Sequence, residues 1–172
     1  YHFAAQAGVR YVSSHPEKFI ESNIFGFHNL IEVSKKYNIK KFFYASSSSV
    51  YGNSKLFPLK EKSLLFPNNT YSLSKKFNED LSKIYCEFYK IKAIGIRFFT
   101  VYGEWGRHDM FYSKVFDSAF KKKKLFINNF GNHSRDFTYI KDVNFILFNM
   151  LKSNNIKSNE IINICSNNPI NI

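Results

Sequence analysis

Two cysteines, Cys86 and Cys165, stand in 172 residues. That is too few for a disulfide framework or a structural zinc cage, and it suits a reducing compartment. No run approaches the ~18 consecutive apolar residues of a membrane-spanning helix. Tyr1 is not a start methionine, and no basic stretch leading into an apolar one opens the chain. No signal peptide or membrane is therefore expected, and the expected location is the cytoplasm. Glycine is scarce: seven residues, none in a Gly-x-x-Gly-x-x-Gly phosphate loop. Arginine is scarcer, with only Arg10, Arg97, Arg107 and Arg135 among 25 basic residues. Nucleic-acid readers lean on arginine for bidentate contacts. The formal net charge of +12 is accordingly read as lysine-rich solvated surface, with no nucleic acid as partner. The lysine run at 121–124 is read as a solvated helix end, where cations suit the macrodipole.

What is present supports a core, since aliphatic and aromatic residues make up 44%. Residues 1–5 read as the tail of a buried strand that runs into a loop at 6–8. Apolar residues at helical spacing (Phe19, Ile20, Ile24, Phe27, Leu30, Ile31, Val33) predict a helix over 16–37. A strand at 41–45 ends in four serines, and a second long helix runs over 71–89 with Leu73, Phe77, Leu81, Ile84 and Phe88 as its apolar face. A buried strand at 93–99 leads into a loop at 100–107. A helix at 111–121, a strand at 125–127, a helix at 143–151 and a strand at 161–164 complete the order. No repeat or linker marks a boundary. Strands alternating with long helices predict an α/β fold, a doubly wound parallel sheet. In such sheets ligands sit beyond the carboxyl ends of the strands, here the loops at 4–10, 46–52 and 100–107.

Tyr71-Ser-Leu-Ser-Lys75 is a Tyr-x-x-x-Lys pattern, and two more occur at Tyr37/Lys41 and Tyr51/Lys55. Alone the pattern is weak. Only Tyr71/Lys75 falls inside a long predicted helix, where an i, i+4 pair shares one face. An ammonium beside a phenol favours the phenolate, which gives a general base for a sugar or alcohol hydroxyl. The string Ser46-Ser-Ser-Ser-Val-Tyr-Gly52 follows the preceding strand directly. Its hydroxyls are therefore expected where a substrate oxygen can be held.

These segments, with His2-Phe-Ala-Ala5, Arg97-Phe-Phe-Thr-Val-Tyr-Gly103 and Arg135-Asp-Phe-Thr-Tyr-Ile140, resemble the extended short-chain dehydrogenase/reductase family in its NAD-dependent sugar-nucleotide epimerase and dehydratase branch. The order and spacing match over nearly the whole chain. Ala4-Ala-Gln-Ala-Gly-Val-Arg10, the serine string and Val101-Tyr-Gly-Glu-Trp-Gly-Arg-His-Asp-Met110 resemble, more narrowly, UDP-glucuronate 4-epimerases. The resemblance implies a Rossmann-like sheet and NAD as cofactor, with no metal. It makes Ser47, Tyr71 and Lys75 the catalytic set, Tyr71 as base and Lys75 on the nicotinamide ribose. Phe3, Ala4, Ala5, Gln6, Asn23, Ser46 and Phe99 would lie along the cofactor. Thr100 would contact the UDP-sugar, while Asn128, Phe130 and Arg135 would contact the uridine diphosphate. Ser47 and Ser48, with Arg10 or Arg107 assisting, are expected to recognise the sugar and its carboxylate.

The family opens with a strand and a Gly-rich phosphate loop that this chain lacks. The resemblance thus implies residues 1–172 to be a fragment of one epimerase/dehydratase domain, with the N-terminal strands, that loop and a shorter C-terminal piece outside it and no activity alone. Residues 100–135 and those after 160 would form part of a small substrate domain. A homodimer through the helices near 16–37 and 71–89 is expected. The implied reaction is C4 epimerisation of a UDP-hexuronate, UDP-glucuronate to UDP-galacturonate, through a 4-keto intermediate in polysaccharide biosynthesis. A 4,6-dehydratase needs acidic residues where this chain has Ser48 and Ser49. The alternatives kept are a UDP-glucose/galactose 4-epimerase and a UDP-glucuronate decarboxylase. A different class is a non-catalytic nucleotide- or RNA-binding module of the same fold.

Overall fold

Strands and helices alternate through most of the computed structural model, which describes residues 1–8, 11–122 and 124–172. The helices are α1 (Pro16–Phe19), α2 (Gly26–Lys36), α3 (Thr70–Tyr89), α4 (Phe111–Lys121) and α5 (Ile140–Lys152). The strands are β1 (Phe42–Ser47), β2 (Ala93–Phe98), β3 (Thr100–Tyr102), β4 (Ser134–Tyr139), β5 (Glu160–Ile164) and β6 (Pro169–Asn171). The chain divides into two compact units: Tyr1–Phe98 with Ser153–Asn163, and Phe99–Lys152 with Ile164–Ile172.

In the first unit β1 and β2 pair in parallel, from Phe42 opposite Ala93 to Ser47 opposite Phe98. β5 lies beside β2, giving the order β1-β2-β5. β1 and β2 are buried along most of their length, as strands covered on two faces must be. Phe27 and Ile31 of α2 meet Phe42 and Tyr44 of β1, together with Tyr85 and Cys86 of α3, in one core cluster. Gly95 of β2 lies against Tyr44 of this cluster and Ile161 beside it. A Cβ there would lie 2.6 Å from both Ile161 Cδ1 and Tyr44 Oη, so the close approach of those side chains requires glycine. The helix expected over 16–37 is continuous as α1, a π-helical segment at Ile20–Phe25, and α2.

Two expectations for this unit need correction. Residues 1–5 form no buried strand. His2 makes one parallel bridge to Tyr44, through His2 N to Phe43 O and Ala45 N to His2 O, while Tyr1 and Phe3 stay exposed. Helix α3 forms where expected, its first turn closed by an Asn69/Ser72 capping box, but the opposite face is buried. Leu73, Phe77, Ile84 and Phe88 are exposed, and Leu81 packs only in part against the core. Ser72, Ser74, Lys75, Asn78, Glu79 and Ser82 face inward. Apolar periodicity finds the greasier face, and here the buried side carries polar groups instead, among which Ser72, Ser74, Lys75 and Glu79 have hydrogen-bond partners.

In the second unit β4 is central, parallel to β3 and antiparallel to β6. The stretch expected as a loop at 100–107 thus begins as a strand. No strand forms at 125–127; β4 at Ser134–Tyr139 and β6 take that role. The Asp136 carboxylate fixes β4 to the turn before β6 by accepting from Ser166 N (2.8 Å), Ser166 Oγ (3.1 Å) and Asn168 N (3.1 Å). Helix α4 ends at Lys121, which pairs with Asp117 at 3.2 Å, as the reading of a solvated lysine end requires. No helix among the described residues is long and apolar enough to cross a membrane.

Candidate active site

The carboxyl end of β1 and the first turns of α3 bring the expected catalytic set into the first unit. Ser47 has extended backbone and opens the 3-10 turn Ser48–Tyr51; its Oγ accepts from Ser49 N at 3.2 Å and from Ser49 Oγ at 2.9 Å. Tyr71 lies in the first turn of α3 with its ring edge-on to Phe19 at 6.2 Å. Lys75 follows one turn on, its Nζ 5.8 Å from the Tyr71 ring centroid. The lysine is 3% exposed, and its ammonium donates to Ala45 O at 2.9 Å. Among the described residues no carboxylate pairs with it. Burial without a counter-charge pushes Lys75 down to about 8. Burial, and then the Lys75 charge, also lower the His2 imidazole.

Asn23 is 2% exposed and spends its carboxamide on the protein. Its Oδ1 accepts from Gln6 N at 2.8 Å, and its Nδ2 donates to Gln6 O at 3.0 Å and Ser74 Oγ at 3.0 Å. One side chain thereby fixes the backbone at Gln6 against the turn of α3 that holds Tyr71 and Lys75. Phe3 stacks edge-on to Phe98 at 5.5 Å, and Ala4 and Ala5 leave their backbone approachable, Ala4 exposed and Ala5 half-buried. This donor set fits a dinucleotide. An ammonium has three donors, so after Ala45 O two remain to hold the hydroxyls of a ribose, and small side chains at 4 and 5 let a backbone approach it.

Ser46, expected along the cofactor, donates its hydroxyl to Glu79 Oε1 at 2.5 Å. Glu79 belongs to a buried network that the sequence reading missed. Arg97 holds it bidentately, Nε to Oε1 at 2.9 Å and Nη2 to Oε2 at 2.7 Å. Arg97 Nη1 donates further to Tyr51 Oη at 2.8 Å and Glu61 O at 3.0 Å. The signal was present in part: Glu79 lies four residues beyond Lys75, hence on the face of Tyr71 and Lys75. Its arginine partner is 18 residues away, beyond any local pattern.

Ser48 opens the 3-10 turn of the first unit, and the second unit carries most of the remaining expected residues. Phe99 precedes β3, with its N–H donating to Ile164 O at 3.2 Å. Thr100 opens β3 opposite Phe137. Arg107 is held bidentately by Asp109 at 2.8 and 2.6 Å. Phe130 is fully exposed with φ near 52°. Arg135, also exposed, donates to Ser134 O at 2.8 Å. Asn128 begins the 3-10 turn Asn128–Gly131. Arg10 lies outside the described residues, as does Lys123 of the lysine run.

The profile of the family described as "NAD dependent epimerase/dehydratase family" matches residues 1–165. The chain is 44% identical over 147 residues to UDP-glucuronate 4-epimerase 4 of Arabidopsis thaliana, covering 83% of this chain and 34% of that protein. A UDP-glucuronic acid 4-epimerase from Bacillus cereus, solved with UDP-glucuronic acid and NAD, superposes with TM-score 0.95 at 32% identity, over 100% of this chain and 55% of that one. A UDP-N-acetylglucosamine 4-epimerase from Methanobrevibacter ruminantium, in complex with UDP-N-acetylmuramic acid, superposes with TM-score 0.91 at 27% identity, over 99% and 57%. The chain therefore spans between a third and somewhat over half the length of these relatives. Its α/β sheet is the Rossmann-like sheet of these epimerases, and with the profile matched over residues 1–165 the chain belongs to the NAD dependent epimerase/dehydratase family.

Proposed function

We propose that the intact protein is an NAD-dependent nucleotide-sugar 4-epimerase that inverts C4 of a UDP-hexuronate, interconverting UDP-glucuronate and UDP-galacturonate through a 4-keto sugar. One observation carries this reading. A buried ammonium, Lys75, with no carboxylate paired to it among the described residues, stands beside the Tyr71 ring where α3 meets the strand that ends in Ser47. Such a charge favours the phenolate of Tyr71, which takes the proton of the sugar 4-hydroxyl. Ser47 hydrogen-bonds the same oxygen. The chemistry supplied by NAD, when it is bound, is the acceptance and return of a hydride. Lys75 holds its ribose, Asn23 keeps Gln6 in place, and Phe3, Ala4, Ala5 and Phe99 lie along it. By the resemblance, Ser48, Thr100 and Arg107 are assigned to the sugar and Asn128, Phe130 and Arg135 to the uridine diphosphate, with residues 100–135 and those after 160 as the substrate-binding portions. Arg10 belongs to the same set by sequence.

Leu73, Phe77, Ile84 and Phe88 of α3 are exposed apolar residues, as are Leu30 and Val33 of α2. A second copy of the chain is their proposed occupant. A cytoplasmic location accords with two free thiols.

A second reading, UDP-N-acetylglucosamine 4-epimerisation, is supported by the Methanobrevibacter enzyme; the higher identities to glucuronate epimerases favour the first. The test is turnover of UDP-glucuronate, UDP-glucose and UDP-N-acetylglucosamine by the intact protein, with the C4 epimers resolved by chromatography. UDP-glucuronate should be preferred. Tyr71→Phe should lower its turnover about 10²–10⁴-fold. A preference for UDP-N-acetylglucosamine would select the second reading, and a Tyr71→Phe variant within about tenfold of the parent would remove Tyr71 as the base.

A further inference from the structure

Ser47 stands between two residues that one buried ion pair holds in place. On its N-terminal side, Ser46 is 2% exposed and donates to Glu79 Oε1 at 2.5 Å. On the other side, at the end of the 3-10 turn, Tyr51 is 1% exposed, and its Oη accepts from Arg97 Nη1 at 2.8 Å. The two anchors meet through the bidentate Arg97–Glu79 pair. Tyr51 Oη then donates to Asn163 Oδ1 at 2.7 Å, and Arg97 Nη1 also reaches Glu61 O at 3.0 Å. The span from Ser46 to Tyr51 is thus set by a planar fork and a planar carboxylate, whose mutual geometry admits little play. A purely stabilising role is a poor account of such a pair, because apolar groups of similar volume serve a core as well or better.

We propose that Glu79 and Arg97 are positioning residues: by clamping Ser46 and Tyr51 they fix the strand end and turn on which the Ser47 hydroxyl meets the substrate oxygen. The inference rests on the role given to Ser47 in the proposed function. Neither Glu79 nor Arg97 touches the reacting atoms. Their effect passes through the backbone between the two anchors.

The test cuts the tethers and leaves the ion pair whole. Ser46→Ala and Tyr51→Phe each remove one hydroxyl, and the pair of substitutions is made in the intact protein and again in a Ser47→Ala background. With UDP-glucuronate as substrate, the pair should lower kcat about tenfold or more in the parent, with a smaller change in KM. In the Ser47→Ala background the same pair should change kcat by less than about twofold, since the group it positions is already gone. Equal losses in both backgrounds would make the network structural only and overturn the inference, as would an unchanged kcat in the parent. If Ser47→Ala alone keeps the parental kcat, it is the role of Ser47 that fails. If Ser47→Ala is crippled and the tether variant is not, only the inference fails. Should the double variant not fold, Tyr51→Phe alone runs the same comparison.

Discussion

The buried ammonium of Lys75 sets a measurable dependence of stability on pH. Its ordinary value of 10.5 falls to about 8 in the fold, because burial penalises the charged form and no carboxylate among the described residues compensates. Below about pH 8 the lysine is charged in both folded and unfolded chains, and the cost of burying that charge is fully present. Between about 8 and 10.5 the unfolded chain binds a proton that the folded one does not, so this group makes stability rise with pH. Above 10.5 the penalty is gone. At about 1.4 kcal/mol per pH unit the interval corresponds to about 3 kcal/mol, of which about 2–3 kcal/mol is recovered between pH 7 and pH 10. The perturbation is Lys75→Met, which keeps the stem and removes the charge. Absolute stabilities at the two pH values mix in every other titrating group, but the difference between variant and parent isolates this one. The assay is urea unfolding of the NAD-free protein at pH 7 and pH 10. The variant's advantage over the parent should shrink by about 2–3 kcal/mol between them, about 1 M or more in the difference of urea midpoints. Loss of the bond to Ala45 O shifts both differences alike and does not alter the trend. A difference that stays constant within about 0.5 kcal/mol would show that Lys75 is solvated or paired and would refute the reasoning.

Gly95→Ala should destabilise the first unit by about 1–3 kcal/mol in the same urea assay, because the new Cβ meets Ile161 and Tyr44 at 2.6 Å; no change beyond about 0.5 kcal/mol would mean that the strand has room to shift. Charges on the exposed face of α3, Phe77→Glu with Ile84→Glu, should weaken self-association at least about tenfold in sedimentation velocity without loss of fold. An unchanged sedimentation coefficient at all concentrations would remove that face as the interface between copies.

How much of this was legible in advance depended on how local each signal was. The alternation of strands and helices was readable because apolar runs and helical spacing are properties of neighbouring residues. The Tyr71/Lys75 pair was readable for the same reason: four residues on a helix make one face. The serine string could be placed at a strand end from β1 and its loop alone. Strand β4 escaped because Ser134-Arg-Asp-Phe-Thr-Tyr139 is polar on its outer half; what makes it a strand is pairing with β3 on one side and β6 on the other. The 125–127 run looked apolar enough, yet among the described residues no strand pairs with it.

Composition and order thus determined the fold class, the loops that could hold chemistry, and one tyrosine–lysine pair on one helix, the candidate for proton transfer. Tertiary structure decided which face of α3 is inside, because Glu79 and Lys75 become tolerable in a core only when the sheet brings each a partner, Arg97 to the one and Ala45 O to the other. It also decided that Asn23 reaches 17 residues back to Gln6 and 51 forward to Ser74, and that Arg97 closes on Glu79 beneath Ser46. These bonds join segments whose separation along the chain carries no periodic signal. Only packing, which excludes water and leaves each buried polar group to find its partner in the protein, could select them.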